Sequence, residues 1–327
     1  MKAFRVIAVL VGIGLLISCP GGPGPAPSRA DTLSRSFQDI VGPGATEDDP
    51  PADNWLSYLN WYRSLAGLPA LTENESHSYG CTLHAIYMAK NNVLQRPEDP
   101  NNEWYTAEGH EAGLNSNVFV SNKVSDSFKI AMDQWMEGPF TAVGILDPEL
   151  TTVGYGEHHE ENPDQYTQSA AALDVIRGLT GSNGPGPTPV FWPGNGATTP
   201  IGIYEEGRDY PSPLSSCPGY EGLKATGAAL IIQTGFGRTD LPEVTDSSIV
   251  NSKGVSLEHC IFDEGTYVNS NQDLQDYGRA VLSFRDAIVI IPKLPLERGE
   301  TYSVSVTING QVYSWSFSVS ETARVEP

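Results

Sequence analysis

Basic residues are scarce in this chain. Lysine and arginine together number 19 among 327 residues, against 40 aspartates and glutamates, so the formal net charge is −21 at pH 7. Phosphate backbones and anionic lipids do not attract an acidic surface, so this balance argues against a nucleic-acid partner and against an acidic membrane surface. Acidic residues spread along a whole chain indicate a solvated exterior more than a dedicated cation site.

The sequence also lacks the short motifs of several enzyme classes. It contains no HExxH zinc motif, no GxSxG nucleophile elbow, no Walker A loop and no GxGxxG dinucleotide fingerprint. His110 and Glu111 form an HE pair, but the second histidine of HExxH is missing. We therefore expect no cofactor, and a non-catalytic role is favoured while enzymatic activity stays uncertain.

Long apolar runs are missing except at the N-terminus. Lys2 and Arg5 precede an apolar run over residues 6–17, which is too short to span a bilayer and has the layout of a signal peptide. The run ends in Leu-Ile-Ser-Cys, which resembles a bacterial lipobox, so residues 1–19 are predicted to be a lipoprotein-type signal peptide and Cys19 the lipidated residue. Ordinary cleavage, for instance after Ala30, is the alternative.

Either route takes the protein out of the cytoplasm. We expect a location outside the cytoplasmic membrane, with the protein lipid-anchored to the cell envelope or secreted, and membrane contact through the lipid anchor only. Residues 20–52 are rich in proline and glycine and cannot pack into a core, so they are predicted to form a tether.

Cysteine is rare as well, with four residues. If Cys19 is lipidated, Cys81, Cys217 and Cys260 remain, and an exported protein allows two of them to pair. Cys81 lies in a predicted helix among apolar neighbours, as a buried free thiol does, whereas Cys217 and Cys260 lie in loop-rich segments. We therefore predict a Cys217–Cys260 disulfide, whose loop of 43 residues corresponds to about 4 kcal/mol of stabilisation.

The most informative stretch runs over residues 125–156. Apolar residues at three- and four-residue spacing predict a helix that Gly138 and Pro139 end, and a β-rich segment begins at Thr151. This order resembles the SCP-like extracellular domains of the CAP superfamily, in particular bacterial members. The resemblance rests on Trp135, Gly138-Pro139, Ile145-Leu146, Pro148 and Val153-Gly154-Tyr155-Gly156, and on an opening helix with Leu59-Asn60, Tyr62-Arg63 and Ala66-Gly67-Leu68-Pro69.

The resemblance implies an α-β-α sandwich, with one antiparallel sheet between helical layers, and we expect it over residues 53–235. Residues 98–120 are predicted to be a polar loop, and residues 178–222, with 8 prolines and 10 glycines, an irregular wrap over the surface. His158 and His159 are interpreted as part of a polar turn. The helices are expected at residues 53–66, 75–93 and 125–137, and strands at residues 151–156, 170–176 and 228–233.

From Val244 onward we find no helical period. Two alternating runs flank Asn309-Gly310, the strongest short signal for a β-hairpin. The phrase PLERGETYSVSV at residues 295–306 resembles a strand entry of bacterial Ig-like domains. The fold class is therefore predicted to be α+β, with the sandwich of residues 53–235 followed by a small all-β, Ig-like sandwich over residues 240–320.

Many CAP domains line a cleft with two histidines and two acids that hold a divalent metal. On the positions that match that pattern, Arg96 and Thr141 stand where the histidines are expected, and Leu114 replaces one acid. Arginine has only donors and cannot ligate a cation, so the metal site is predicted to be degenerate, with positions 96, 114 and 141 in one hollow. Arg96 could pair with Glu98, the commoner outcome, or bind an anionic ligand group.

The resulting candidate cleft holds Arg96, Glu98, Glu108, His110, Glu111, Trp135, Glu137 and Thr141. The favoured function is extracellular binding or surface interaction with an unknown ligand or surface partner. The first alternative is a peptidase-like hydrolase that uses the acids and the histidine of an altered cleft. The second is a structural envelope module in which the wrap fills the cleft.

Overall fold

The computed structural model describes residues 50–51, 54–181, 188–235 and 241–326. The predicted signal peptide, Cys19 and nearly all of the tether lie outside the described residues. In the described part, the α-helices are α1 (Trp55–Leu65), α2 (Glu75–Asn91), α3 (Ala107–Leu114), α4 (Phe128–Glu137), α5 (Pro139–Ile145) and α6 (Gln272–Ser283). None of the helices described is long and apolar enough to cross a membrane.

The strands form three four-stranded sheets and one two-stranded sheet in the described residues, in the orders β1-β3-β4-β2, β10-β13-β14-β6, β11-β12-β9-β5 and β7-β8. Their bounds are β1 (Thr72–Glu73), β2 (Ser116–Ser121), β3 (Thr152–His159), β4 (Ser169–Asp174), β5 (Val190–Trp192), β6 (Thr198–Ile201), β7 (Ile203–Glu205), β8 (Ala225–Gly227), β9 (Leu230–Gln233), β10 (Val244–Asn251), β11 (His259–Phe262), β12 (Ala287–Pro292), β13 (Thr301–Ile308) and β14 (Gln311–Arg324). Mixed helices and sheets confirm the predicted α+β class.

The first sheet separates two layers of side chains. On strand β4, Ala170 and Ala172 pack in small clusters with residues of α2 and α3, while Ala171 and Leu173 belong to the main core with α1, α4 and α5. Successive residues of a strand point to opposite faces, so this alternation places helices on both sides. The sheet is antiparallel except for β1, which pairs with β3 in parallel.

Two glycines of β3 let α2 lie directly on the sheet. A Cβ atom at Gly154 would stand 2.4 Å from the Cβ of His77, and one at Gly156 would stand 2.1 Å from the backbone nitrogen of Thr82. No side chain fits at either distance, so the close backbone approach predicted from the VGYG sequence is what brings helix and strand together.

A buried arginine fixes the end of α5. The Arg63 side chain is fully buried, and its Nη1 donates to the carbonyl oxygens of Ile145 at 2.6 Å and Asp147 at 3.0 Å. Burial lowers the pKa of this guanidinium to about 10, which still leaves it charged at neutral pH. These contacts satisfy carbonyls that a helix end leaves without partners, so α1 holds α5 in place.

Residues 98–120 are not the loop that we predicted. They contain α3, whose N-cap Thr106 accepts a hydrogen bond from Gly109 N at 2.9 Å, and most of β2. The interpretation was wrong because α3 buries only the small residues Gly109, Ala112 and Gly113, and a stripe of small side chains gives a weak apolar period. The polar turn at residues 158–159 was wrong as well, since both histidines belong to β3.

The C-terminal part contains a helix that we did not predict. The α6 sequence carries Leu274, Gly278, Val281 and Leu282 at helical spacing behind the N-cap Asn271, so the signal was present. The hairpin prediction is confirmed, because β13 pairs with β14 across Asn309-Gly310, and both turn residues have positive φ angles of 50° and 77°.

Residues 235–240 separate the two predicted domains, yet strands that precede them in the chain pair in the same sheets with strands that follow them. Strand β9 pairs with β12, and β6 pairs with β14, so neither C-terminal sheet is built from residues 240–320 alone. The two sheets contact each other where the Phe191 ring of β5 stacks on Trp315 of β14, with centroids 4.7 Å apart. Packing of this kind is consistent with a β-sandwich, and all described residues fall in a single compact unit. The domain boundaries themselves stay a prediction.

The prediction of an irregular wrap over residues 178–222 was wrong in part, because this segment contains β5, β6 and β7. It is also tied to the C-terminal sheets. Cys217 follows a short 3-10 helix, Pro213–Ser216, and forms a disulfide with Cys260 of β11, with Cα atoms 5.4 Å apart. Cys81 is free and fully buried in α2. Burial raises the pKa of its thiol to about 12, so this cysteine is protonated and unreactive at neutral pH.

Candidate functional site

A cavity of about 760 Å3 opens beside α4 and α5. Three of the predicted cleft residues line it, namely Arg96, Trp135 and Thr141. The remaining lining residues come from five separate parts of the chain: Leu94, Gln95, Val118, Gln134, Gly207, Arg208, Asp209, Tyr210, Leu274 and Tyr277. Residues between positions 94 and 141, within the predicted sandwich, thus form one side of the cavity, and the wrap and α6 complete it.

Trp135 and Thr141 form a rigid wall of the cavity. The indole Nε1 donates to the carbonyl of Val118 at 3.1 Å, and only 1% of Trp135 is exposed. The Thr141 hydroxyl donates to the carbonyls of Trp135 at 2.7 Å and Gly138 at 3.0 Å. Both polar groups are engaged with backbone, so this wall offers shape and apolar surface more than free hydrogen-bond donors.

Arg96 reaches the cavity from the segment after α2. Its Nη1 donates to the hydroxyl of Tyr277, and its guanidinium carbon lies 5.1 Å from the centroid of that ring. The expected salt bridge between Arg96 and Glu98 was wrong, because Glu98 pairs with His84 instead. Their distance is 3.0 Å between Oε1 and Nδ1, and both side chains are fully buried.

The His84–Glu98 pair holds the segment that carries Arg96. His84 Nε2 lies 2.9 Å from the carbonyl oxygen of Gln95, which can only accept a hydrogen bond. Gly113 of α3 packs against the same segment, since a Cβ atom there would stand 2.2 Å from the carbonyl oxygen of Arg96. The backbone on both sides of Arg96 is therefore fixed by buried contacts.

Asp209 is the acid of the cavity, and sequence reasoning missed it. Its Oδ2 accepts from Phe140 N at 2.6 Å and its Oδ1 from Tyr210 N at 2.8 Å, so it caps the start of α5. Burial raises the pKa of this carboxyl to about 6, against the opposing effect of the backbone hydrogen bonds and of Arg96. Gly138 permits the contact, because a Cβ atom there would stand 2.7 Å from Asp209 Cβ.

The other predicted cleft residues lie outside this cavity. His110 packs beneath Glu98, with Nδ1 3.1 Å from the backbone of that residue, and its ring lies 5.8 Å from Tyr105. Glu108 and Glu111 lie exposed on α3. Leu114, expected in the same hollow as Arg96, is 50% exposed and does not line it.

Glu137 belongs to a different contact altogether. It is 4% exposed, ion-pairs with Arg324 of β14 at 2.5 Å, and accepts a hydrogen bond from Glu205 N at 2.9 Å. Burial raises the pKa of the Glu137 carboxyl against the effect of Arg324. The residue joins α4 to the last strand and is not available to a ligand.

The residues of the cavity do not fit a divalent metal. Arg96 has no acceptor atom, the Thr141 hydroxyl is already bonded to backbone, and both oxygens of Asp209 accept backbone N–H groups. Across the described residues, no group of three or more histidines, cysteines, aspartates or glutamates is placed to hold a metal ion. Calcium and zinc sites need several such ligands around one point.

Three lining residues could not be placed from local patterns. Asp209 and Tyr210 follow one another in an irregular part of the wrap, where no periodicity indicates which side chain points inward. Tyr277 lies on α6, whose apolar stripe could have been recognised. Even so, that stripe predicts a packed helix and does not predict that the helix packs beside Arg96.

Comparisons with known proteins bear on the first part of the chain. A family model described as CAP, the cysteine-rich secretory protein family, matches residues 56–169, which run from α1 into the first residue of β4. Among solved structures, an extracellular protein containing an SCP domain from Bacillus anthracis str. Ames is 16% identical, with a TM-score of 0.29. That match covers 38% of this chain and 39% of the other, well under two-thirds of its length. No curated protein matches the chain.

Proposed function

The chain contains a CAP domain at residues 56–169, as its motifs predict, and from this premise we propose that it is an exported, lipid-anchored protein that binds an extracellular ligand without a metal ion. The cavity of about 760 Å3 carries the proposal. Small-molecule pockets typically measure about 300–1,000 Å3 and combine apolar walls with a few polar groups. Arg96 and Thr141, which stand at the positions expected for metal-binding histidines, both line it.

The arrangement favours binding over hydrolysis. The hydrolase alternative needs Glu98, Glu108, His110, Glu111 and Glu137 to converge on one substrate, and none of the five lines the cavity. Glu98 and Glu137 are both buried, and each is already paired with a basic side chain, His84 and Arg324 respectively. A general base has to come within hydrogen-bond reach of the substrate, and these positions do not allow that in this hollow.

The cavity also argues against a purely structural module. In that alternative the wrap fills the cleft, and residues 207–210 of the wrap do enter it. They form one side of the hollow, and Tyr210 stays 70% exposed at its mouth. A space of this size beside a buried tryptophan supports a ligand role.

Export and anchoring rest on the sequence of residues 1–19 together with the disulfide. Structural disulfides persist in oxidising compartments outside the cytoplasm, which agrees with the signal sequence. Cys19→Ala should release the protein from the membrane fraction and abolish incorporation of a labelled fatty acid. A mature N-terminus after Ala30, found by mass spectrometry, would replace lipidation by ordinary secretion.

Metal analysis tests the proposal that the site works without a metal ion. After exposure to zinc and calcium and extensive dialysis, wild-type protein should hold well below one ion per chain by mass spectrometry. The double variant Arg96→His/Thr141→His, which returns imidazoles to both positions, should gain zinc affinity over the single variant Thr141→His. Stoichiometric metal in the wild-type protein would overturn the metal-free proposal.

A further inference from the structure

Arg96 carries a positive charge into the cavity and makes no salt bridge with any acid among the described residues. In the described ranges of the chain, no carboxylate oxygen lies within 4.0 Å of its guanidinium, and Nη1 is the only nitrogen of its side chain with a hydrogen bond. The second arginine of the cavity differs. Arg208 pairs with Glu205, with Nη2 at 2.9 Å from Oε2, so its charge is offset.

Asp209 is the one acidic residue among the described residues that line the cavity with Arg96, yet its carboxylate oxygens accept hydrogen bonds from the backbone. Both accept N–H groups, from Phe140 and from Tyr210, and these bonds fix the carboxylate at the start of α5. Arg96 influences Asp209 at longer range, by favouring its charged form. The remaining guanidinium donors of Arg96 are left for another acceptor.

The guanidinium is held in place before any ligand arrives. The hydroxyl and ring of Tyr277 contact it from α6, while His84 and Glu98 clamp the backbone on either side of it. A planar, fixed arginine loses little side-chain freedom on binding and suits the two oxygens of a carboxylate.

Aromatic and apolar surface surrounds this charge. Trp135 is buried in the wall, Tyr277 lies beside the guanidinium, and Tyr210 and Leu94 are 70% and 56% exposed among the lining residues. One exposed tyrosine, Tyr210, and one half-buried tyrosine, Tyr277, thus lie beside an apolar wall, an arrangement that suits a flat apolar body.

We propose that the cavity takes ligands in which a carboxylate is attached to an aromatic body, with Arg96 binding the carboxylate and the aromatic walls binding the ring. This inference rests on the proposed binding function and names the ligand class of the same site. It assigns Arg96 a binding role at a position where a metal ligand is expected.

Naphthalene-2-carboxylate and its neutral carboxamide are suitable probes, because they differ in charge and hardly at all in shape. Isothermal titration or ligand-observed NMR should show the carboxylate binding the wild-type protein at least tenfold more tightly than the carboxamide. Arg96→Gln should weaken carboxylate binding at least tenfold and leave the carboxamide unchanged. Arg298→Gln removes the same charge from an exposed site outside the cavity and should have no such effect.

Equal affinity for the two probes, or equal losses in the Arg96 and Arg298 variants, would overturn the anion assignment while leaving the metal-free binding proposal standing. Failure of the carboxylate to bind at millimolar concentration would also overturn it. Stronger binding of 2-naphthyl phosphate than of the carboxylate would replace the carboxylate by a phosphate as the group that Arg96 selects. Metal content, measured separately, decides the broader proposal.

Discussion

Replacing Asp209 by asparagine should remove a pH dependence of stability that this one carboxyl imposes on the wild-type protein. Burial raises its pKa in the folded protein from the ordinary value of 3.8 to about 6. Between these two values the folded protein keeps a proton that the unfolded chain has released. The free energy of unfolding of the wild-type protein therefore falls as the pH rises through this window.

The size of the effect follows from the two pKa values. Each pKa unit corresponds to about 1.36 kcal/mol. The rise from 3.8 to about 6 at a fully buried group thus corresponds to a loss of about 3 kcal/mol between about pH 4 and about pH 7. Asparagine does not titrate, and it also leaves one of the two backbone donors, Phe140 N or Tyr210 N, without an acceptor, which costs about 1–3 kcal/mol at every pH.

Urea unfolding at several pH values, followed by tryptophan fluorescence, measures this directly. The asparagine variant should be less stable than wild type at about pH 4, and the difference should shift by about 3 kcal/mol in favour of the variant by about pH 7, which is enough to close or reverse it. Asp164→Asn, at an exposed position, serves as the matched control and should follow the wild-type curve. A gap for Asp209→Asn that stays constant with pH, or widens, would refute the reasoning that burial dominates at Asp209.

Three further changes test contacts that hold the fold together. Arg324→Met removes the partner of the buried Glu137 carboxylate and should lower the free energy of unfolding, measured in urea, by about 2 kcal/mol. This is less than the ~3–5 kcal/mol typical of fully buried pairs, because the Arg324 side chain is 39% exposed. The loss should shrink at low pH, where Glu137 is protonated. Cys260→Ser opens the 43-residue disulfide loop and should lower stability by up to about 4 kcal/mol, and reduction of the wild-type protein should match it. Gly113→Ala should lower the melting temperature, because the added Cβ atom would stand 2.2 Å from the carbonyl oxygen of Arg96, in the segment before α3.

The elements that sequence predicted well have strong local signals. The helix Trp55–Leu65 follows an N-cap asparagine, whose side chain accepts from Ser57 N, and ends before a glycine with positive φ. The turn at Asn309-Gly310 needs two residues that tolerate positive φ, and the flanking runs alternate. In both cases a short stretch of residues carries the whole signal.

Helices α3 and α6 were missed for different reasons. Helix α3 packs through small residues, so its burial depends on the close approach of α2 and leaves little trace in the apolar pattern. Helix α6 has the helical period, but it interrupts a region whose other segments read as strands. A region-wide interpretation then overrode the local evidence.

By itself, the sequence determined the CAP motifs, the hairpin, the two cysteines outside the helices and the replacement of both expected histidines by Arg96 and Thr141, because each of these is a property of nearby residues. Only the tertiary structure decided what surrounds Arg96. Its partner Tyr277 lies 181 residues further along the chain, and Phe140 meets Asp209 across 69 residues. Contacts at such separations depend on how sheets and helices pack against one another, and no local spacing of residues encodes that packing.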